Sequence, residues 1–376
     1  MTAPHRVFVL NAGSSSLKYS VVDVVAGTQE SGIVDRIGVA GSEVHDHREA
    51  MRRALGAVDT TGVVAVGHRV VHGGAVFDRA VLIDDRVMEQ IDALSSLAPL
   101  HNPPGLEGIR AARAALPELP QVAVFDTAFH ATLPADAYTY AIDAAVAAEH
   151  GVRRYGFHGT SYRYVSRRAA EVLGRPLAEL RMIVLHLGNG ASAAAIAGGR
   201  SIDTSMGMTP LEGLVMGTRS GDLDPAVLVH LHRVGGYSVD GLDELLNRRS
   251  GVLGVGGHSD MRELTEAAGA GSGAARLALD VYVHRLRKYI GAYAAELGGL
   301  DALVFTAGVG ENSALVRSLA VERLGFLGIG IDPALNEARS GEARPISPPD
   351  ADVAVLVVPT DEEWQIARET LDIVGV

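Results

Sequence analysis

Two stretches far apart in this chain follow the same order of residue types, and that repetition limits the folds open to it more than any other feature. The apolar, β-branched run Arg6 to Leu10 gives way to Asn11-Ala12-Gly13-Ser14-Ser15-Ser16, and a second extended run follows from Leu17 to Val25. Met182 to Leu187 is likewise followed by Gly188-Asn189-Gly190 and by a further apolar run, Ala191 to Ala197, which ends in Gly198-Gly199. Each reads as strand, turn, strand, because short apolar runs separated by Gly, Asn and Ser are the pattern of hairpins. Two such units predict a chain of two related halves.

Strands and helices alternate through the rest: a helix over Asp46 to Leu55, strands at Val63 to Val66 and Val122 to Phe125, and a long helix from Ala274 to Glu296. Val353 to Val358 has the pattern of a buried strand, and Thr360-Asp361-Glu362-Glu363 has the spacing of a capping box that opens a last helix through Ile373. The alternation predicts layered α/β domains. At 376 residues two domains are expected, and 47% hydrophobic residues provide material for a large core.

Composition removes several functions. The net charge of −12, with no Lys/Arg run longer than pairs such as Arg167-Arg168, leaves no electrostatic footprint for nucleic acid. With no cysteine there is no disulfide, thiolate metal site or thiol nucleophile. No signal-peptide core or membrane span is visible, so the expectation is a cytoplasmic protein that binds no membrane.

The turn Asn11 to Ser16 combines small residues with three hydroxyls, which lets N–H and O–H groups approach a phosphate, and Lys18 adds a cation. It is not a Walker A loop, and a plain β-turn accounts for it equally well. Gly188-Asn189-Gly190 is by itself an ordinary tight-hairpin signature, although two such hairpins are able to grip a nucleotide's phosphates together. Thr306 to Asn312 follows the strand Ala302 to Phe305 with glycines that allow a nucleotide to lie against the backbone, but it holds only part of a dinucleotide fingerprint.

Arg69, in His68 to Gly74, and Arg219, in Gly217 to Pro225, each stand beside glycines and are candidates to bind an anion; for any single arginine an ion pair is the ordinary alternative. His158, between small residues in Arg154 to Ser161, is placed to donate to a substrate oxygen. The remaining histidines, His68, His72, His101, His130 and His186 among them, lack zinc spacing. Asp126 ends a buried strand, where ligands of open α/β sheets bind, and Glu362 opens the last helix. Turn and capping roles serve both equally well, and both are candidates to reach magnesium.

Taken in order, Asn11 to Lys18, His68 to Gly74, Tyr155 to Ser161, His186 to Gly190, Gly217 to Pro225 and Thr306 to Asn312 closely resemble the acetate kinase family over essentially the whole chain. The resemblance implies two related ribonuclease H-like α/β domains of the sugar kinase, Hsp70 and actin superfamily, with an interdomain active-site cleft. It implies an N-terminal domain of residues 1–129 plus 363–376, and a nucleotide-binding and dimerisation domain of residues 130–362. Asn11, Arg69, His158 and Arg219 then surround the transferred phosphoryl group, with His158 and Arg219 as transition-state stabilisers. Asp126 is catalytic, Asn11 and Glu362 associate with magnesium, and His101 and His186 support the site. Val71, Leu100, Phe157 and Pro210, with Arg69, receive the acceptor. Nucleotide contacts fall to Lys18, His186, Leu187, Gly188, Asn189, Gly190, Asp260, Met261, Arg262, Gly308, Val309, Gly310, Glu311 and Asn312.

The implied activity is reversible, magnesium-dependent transfer (manganese substituting) between ATP and acetate, giving ADP and acetyl phosphate by direct in-line displacement in a homodimer. A propionate or butyrate kinase on the same scaffold is the near alternative, and a non-kinase ATPase of the superfamily the distant one. One residue departs from the family pattern: Asp361 stands where Asn is common, and an extra carboxylate there serves either magnesium or the helix start, the latter being the expected role.

Overall fold

The computed structural model describes residues 5–39 and 41–376. The chain divides into two compact units, one formed by Met1–Ala131, Phe157–Tyr164 and Asp361–Val376, the other by Thr132–Gly156 and Val165–Thr360. The strands are β1 (Arg6–Ala12), β2 (Ser16–Asp23), β3 (Gly27–Asp35), β4 (Val63–Val70), β5 (Val81–Leu82), β6 (Gln121–Phe125), β7 (Arg181–Leu187), β8 (Ala191–Ala197), β9 (Arg200–Thr204), β10 (Ala302–Thr306), β11 (Arg344–Pro345) and β12 (Ala354–Val357). The helices that bear on the site are α1 (His47–Gly56), α2 (Asn102–Ala115), α3 (Gly159–Leu173), α4 (Val239–Arg248), α5 (Met261–Gly269), α6 (Gly273–Glu296), α7 (Ala307–Asn312), α8 (Ala314–Val321) and α9 (Glu362–Val374).

Each unit holds one mixed sheet, and the two have the same topology. The first runs β3-β2-β1-β4-β6-β5, and the second, read from its hairpin edge, β9-β8-β7-β10-β12-β11. In both, an antiparallel meander is extended by two parallel strands and closed by a short antiparallel edge strand. The duplicated hairpin pattern in the sequence is thus a duplicated sheet.

Strand alternation fixes which helices cover the first sheet. Val7, Val9, Val22, Val122 and Val124 point to one face, where Ile366, Ala367 and Leu371 of α9 seal them. Phe8, Leu10, Leu17 and Val21 point to the other, against Ala50, Met51 and Ala54 of α1 and Ala111 and Ala112 of α2. In the second unit, β8 is buried along almost its whole length, and its alanines let the long helix α6 pack on β7 and β8.

Four local readings change. β1 runs on through Asn11 and Ala12, so the first turn is confined to Gly13, Ser14 and Ser15, and Gly13 N–H donates to Ser16 O at 2.7 Å. β2 ends at Asp23 rather than Val25, because the Asp23 carboxylate accepts the N–H groups of Val25 and Ala26 and turns the chain. β4 reaches Val70, which puts Arg69 on a strand. Ala307 to Asn312 is a helical turn in its own right, not a bare link between strand and helix.

The last helix is capped one residue later than its capping-box spacing predicts. Asp361, not Thr360, accepts the Trp364 N–H, at 2.9 Å. Thr360 N–H is directed instead to the Glu311 carboxylate at 3.2 Å. Asp is the stronger cap, and here it takes that place.

Candidate active site

In the first unit the geometry is set by the C-terminal ends of β4 and β6, which lie side by side in parallel register with Arg69 opposite Val124. This brings Arg69 onto Asp126, the first residue after β6. Nε donates to Oδ1 at 3.0 Å and Nη2 to Oδ2 at 2.7 Å, a two-point grip on a carboxylate that is almost wholly buried. Glu362, at the start of α9, adds its Oε2 at 3.8 Å from Arg69 Nε. Burial alone would depress the Arg69 guanidinium, but the Asp126 and Glu362 carboxylates outweigh it and hold the charge above its ordinary pKa. The grip leaves Nη1 of Arg69 with no protein partner among the described residues.

Around Arg69 the face of the sheet opens into a pocket of about 460 Å³, lined by Asn11, Lys18, Arg69, Glu362 and Glu363 among others. Lys18 reaches it because it lies opposite Asn11 in the β1–β2 hairpin. His158 stands immediately before α3 with φ +59°, a left-handed conformation uncommon outside glycine and of the kind that collects at functional sites. Its neighbour Gly159 has no room for a side chain: a Cβ there would lie 2.2 Å from Asp126 O, to which Gly159 N–H donates at 2.9 Å. His158 and Asp126 are thereby held by one backbone contact.

Val71 follows β4 and is half-buried, Phe157 is buried with His72 against its ring edge, and Leu100 is 55% exposed. His101 is the residue before α2. His68 and His130 have internal partners, Gln121 Oε1 at 2.8 Å and Phe157 O at 2.9 Å, and stand outside the site.

In the second unit three segments meet. The Gly188–Gly190 turn closes β7 to β8, and a Cβ on Gly188 would come within 4.0 Å of Ala307 Cβ at the start of α7. Gly217 N–H donates to Asn189 O at 3.0 Å, which joins the turn to the loop of Arg219. Arg219 Nη1 donates to Pro210 O at 3.1 Å, and no carboxylate lies within ion-pairing distance of Arg219 among the described residues. Burial depresses its pKa and no anion offsets it. His186 and Leu187 end β7 in buried positions. Asp260 caps α5 by accepting the Arg262 N–H, while its carboxylate pairs with the exposed Arg262 guanidinium and Met261 is buried.

Gly308 to Asn312 are held from behind by Arg317 of α8, which sequence reading missed. Among the described residues its buried guanidinium has only carbonyl partners, Gly310 O and Glu311 O at 2.9 Å each and both oxygens of Asn336, and burial lowers its pKa to about 10. Burial also raises the Glu311 carboxyl, which accepts the Thr360 N–H instead of standing free. An apolar-flanked Arg in a helix carries no sequence signal for such a role. No cluster of three His, Asp or Glu side chains suited to a metal occurs among the described residues. Asn11 and Glu362 line one pocket, where they offer an amide oxygen and a carboxylate, donor types that a magnesium ion takes together with substrate phosphates.

Known proteins of similar sequence and structure span almost the whole chain. The profile described as the Acetokinase family matches residues 6–368. An acetate kinase from Leifsonia xyli subsp. xyli is 58% identical over 98% of this chain and 99% of its own. Among solved structures, Porphyromonas gingivalis acetate kinase superposes with a TM-score of 0.95 at 44% identity, covering 98% of this chain and 100% of that one. A propionate kinase from Francisella tularensis subsp. tularensis superposes at 0.92 with 40% identity over 98% of this chain and 100% of its own.

Proposed function

The chain belongs to the acetokinase family, and from that premise and its own residues we infer that it transfers the ATP γ-phosphoryl group reversibly to acetate, giving acetyl phosphate and ADP. It is a phosphotransferase with a carboxyl acceptor, and ATP, ADP and a divalent metal are the family's requirements. The observation that carries the reading is the contrast between the two arginines: Arg69 is fixed by Asp126, whereas Arg219 is half-buried without an anion.

Acetate is ionised at neutral pH, so no base is needed, and positioning and charge stabilisation do the work. Asp126 orients Arg69, whose Nη1 is left to bind the acceptor carboxylate. Arg219 supplies planar donors to the equatorial oxygens of the phosphoryl group in flight, and His158 a further donor. Glu362 and Asn11 would hold magnesium, with manganese as a substitute, and the bound ion screens the polyphosphate charge. Val71, Leu100, Phe157 and Pro210 receive the methyl group. Lys18, the Gly188–Gly190 turn, Asp260 to Arg262 and Gly308 to Asn312 contact the nucleotide.

Propionate is a second acceptor to test, since a solved structure similar to this chain carries that name. One methylene changes discrimination by only about 1–3 kcal/mol. The deciding experiment is hydroxamate trapping of the acyl phosphate with ATP, magnesium and acetate, propionate or butyrate. Trapped product that depends on acetate supports the reading, and ATP turnover indifferent to any carboxylate overturns it.

A homodimer is also part of the proposal, supported by exposed Val227, Val229, Val239, Leu277 and Val281 in the second unit, and light scattering in solution tests it. A cytoplasmic setting is supported by the cysteine-free sequence. No described helix is long and apolar enough to cross a membrane.

A further inference from the structure

The loop that presents Arg219 is closed at its neck by a polar clamp. Asp222 N–H donates to Gly213 O at 3.0 Å, and Gly213 N–H returns a bond to Asp222 Oδ1 at 2.8 Å, so residues 213 and 222 are stapled with Arg219 between them. Two side chains of α6, one turn apart, hold this staple. Arg285 donates from Nη1 to Gly213 O at 2.9 Å and from Nη2 to Asp222 O at 3.1 Å, and its Nη1 lies 3.2 Å from Asp222 Oδ2. Tyr289 O–H donates to Asp222 Oδ2 at 2.9 Å, and burial together with Asp222 pushes its pKa far up, so it remains a donor.

The neck is built for closeness. Gly213 has φ +106° and Gly221 φ +67°, and a Cβ on either would lie 2.4 Å from a carbonyl oxygen, Ser205 O and Leu214 O respectively. From the other side, Glu212 is held by Arg154 Nη2 at 2.6 Å and by the Tyr140 hydroxyl. Within the loop, Met216 N–H donates to Arg219 O at 3.1 Å and Ser220 N–H to Leu246 O of α4 at 3.1 Å. The Arg219 guanidinium, with no ion-pair partner among the described residues, takes its direction from this backbone and from its bond to Pro210 O.

We propose that Asp222, Arg285 and Tyr289 are positioning residues for Arg219, a clamp from the long helix α6 that sets where the unpaired guanidinium points. The inference rests on Arg219 acting on the transferred phosphoryl group. Misplacing a transition-state donor by about 1 Å costs on the order of 100-fold in rate, so loosening the clamp lowers kcat and leaves ATP binding through the Gly188–Gly190 turn in place.

A double-mutant cycle on the full-length enzyme tests it, with Arg285→Met and Tyr289→Phe each made alone and in an Arg219→Ala background. Expected are a fall in kcat of about 10-fold or more for Arg285→Met, a smaller fall for Tyr289→Phe, KM for ATP within about twofold, and partial rescue by Arg285→Lys. In the Arg219→Ala background both substitutions should change kcat by less than about twofold, because the group they aim is gone. Losses that multiply across the two backgrounds, or wild-type kcat in both single variants, overturn the clamp. If Arg285→Met does not fold, the Tyr289→Phe cycle decides by the same criterion. Wild-type kcat in Arg219→Ala alone would instead overturn the role of Arg219.

Discussion

Arg69 holds Asp126 from two nitrogens, Nε donating to Oδ1 at 3.0 Å and Nη2 to Oδ2 at 2.7 Å, across neighbouring parallel strand ends. The grip orients the arginine and also keeps the charge of a buried carboxylate matched. Asp126→Ala leaves the guanidinium with Glu362, at 3.8 Å, as its ion-pair partner among the described residues. We expect a loss of stability of about 3 kcal/mol, the cost of breaking a buried pair, together with a fall in kcat. Urea denaturation and the hydroxamate assay measure the two separately.

Arg219 gives the opposite pattern. It has no carboxylate to orphan, so Arg219→Ala should change stability by less than about 1 kcal/mol. Its kcat should fall by about 100-fold or more, as expected for a lost transition-state donor. A melting temperature near that of the wild type with a collapsed kcat is the expected outcome, and wild-type kcat would remove Arg219 from the chemistry.

Asp361 caps α9 through the Trp364 N–H, and burial raises its carboxyl pKa. Asp361→Asn keeps a good cap and should leave both the melting temperature and the magnesium titration of activity almost unchanged. Asp361→Ala should cost about 1 kcal/mol with the magnesium titration again unchanged. A shifted metal requirement in the Asn variant would assign Asp361 to the ion.

His68 is fully buried against Gln121, and desolvation pushes its pKa down to about 4 from an ordinary 6.5. Between those values the unfolded chain takes up a proton that the folded one refuses, so stability falls as pH drops from 6.5 towards 4. The loss over that window is roughly 3 kcal/mol from this group. His68→Gln, which does not titrate, should flatten the dependence of melting temperature on pH across it.

The parts of the site legible in the sequence are those set by local pattern. The Asn11 and Asn189 hairpins follow from residue type over a dozen positions, and they recur as the same corner of two sheets. Arg69, Asp126 and Arg219 stood out by their glycine-flanked or strand-end settings. The bond between Arg69 and Asp126 did not, because it depends on the register of β4 against β6. Arg285 and Tyr289 read as ordinary helix residues, since what they hold is a neck formed by positions 213 and 222. The segment Ala307 to Asn312 misled for a different reason: its glycines suggest an open turn, while carbonyl bonds to Arg317 keep it helical.

The face of the first sheet formed by Val7, Val9, Val122 and Val124 is sealed by Ile366 and Leu371. During synthesis the strands that make this face leave the ribosome long before the helix that covers it. At about 5–20 residues per second the interval is on the order of ten to fifty seconds. For that time an oily surface waits in water while the whole second sheet is being made, because Ile366 and Leu371 follow every strand of that sheet in the chain. Loss of a short stretch around residue 366, remote in sequence from every strand it covers, would therefore leave the nascent protein open at a face built long before it.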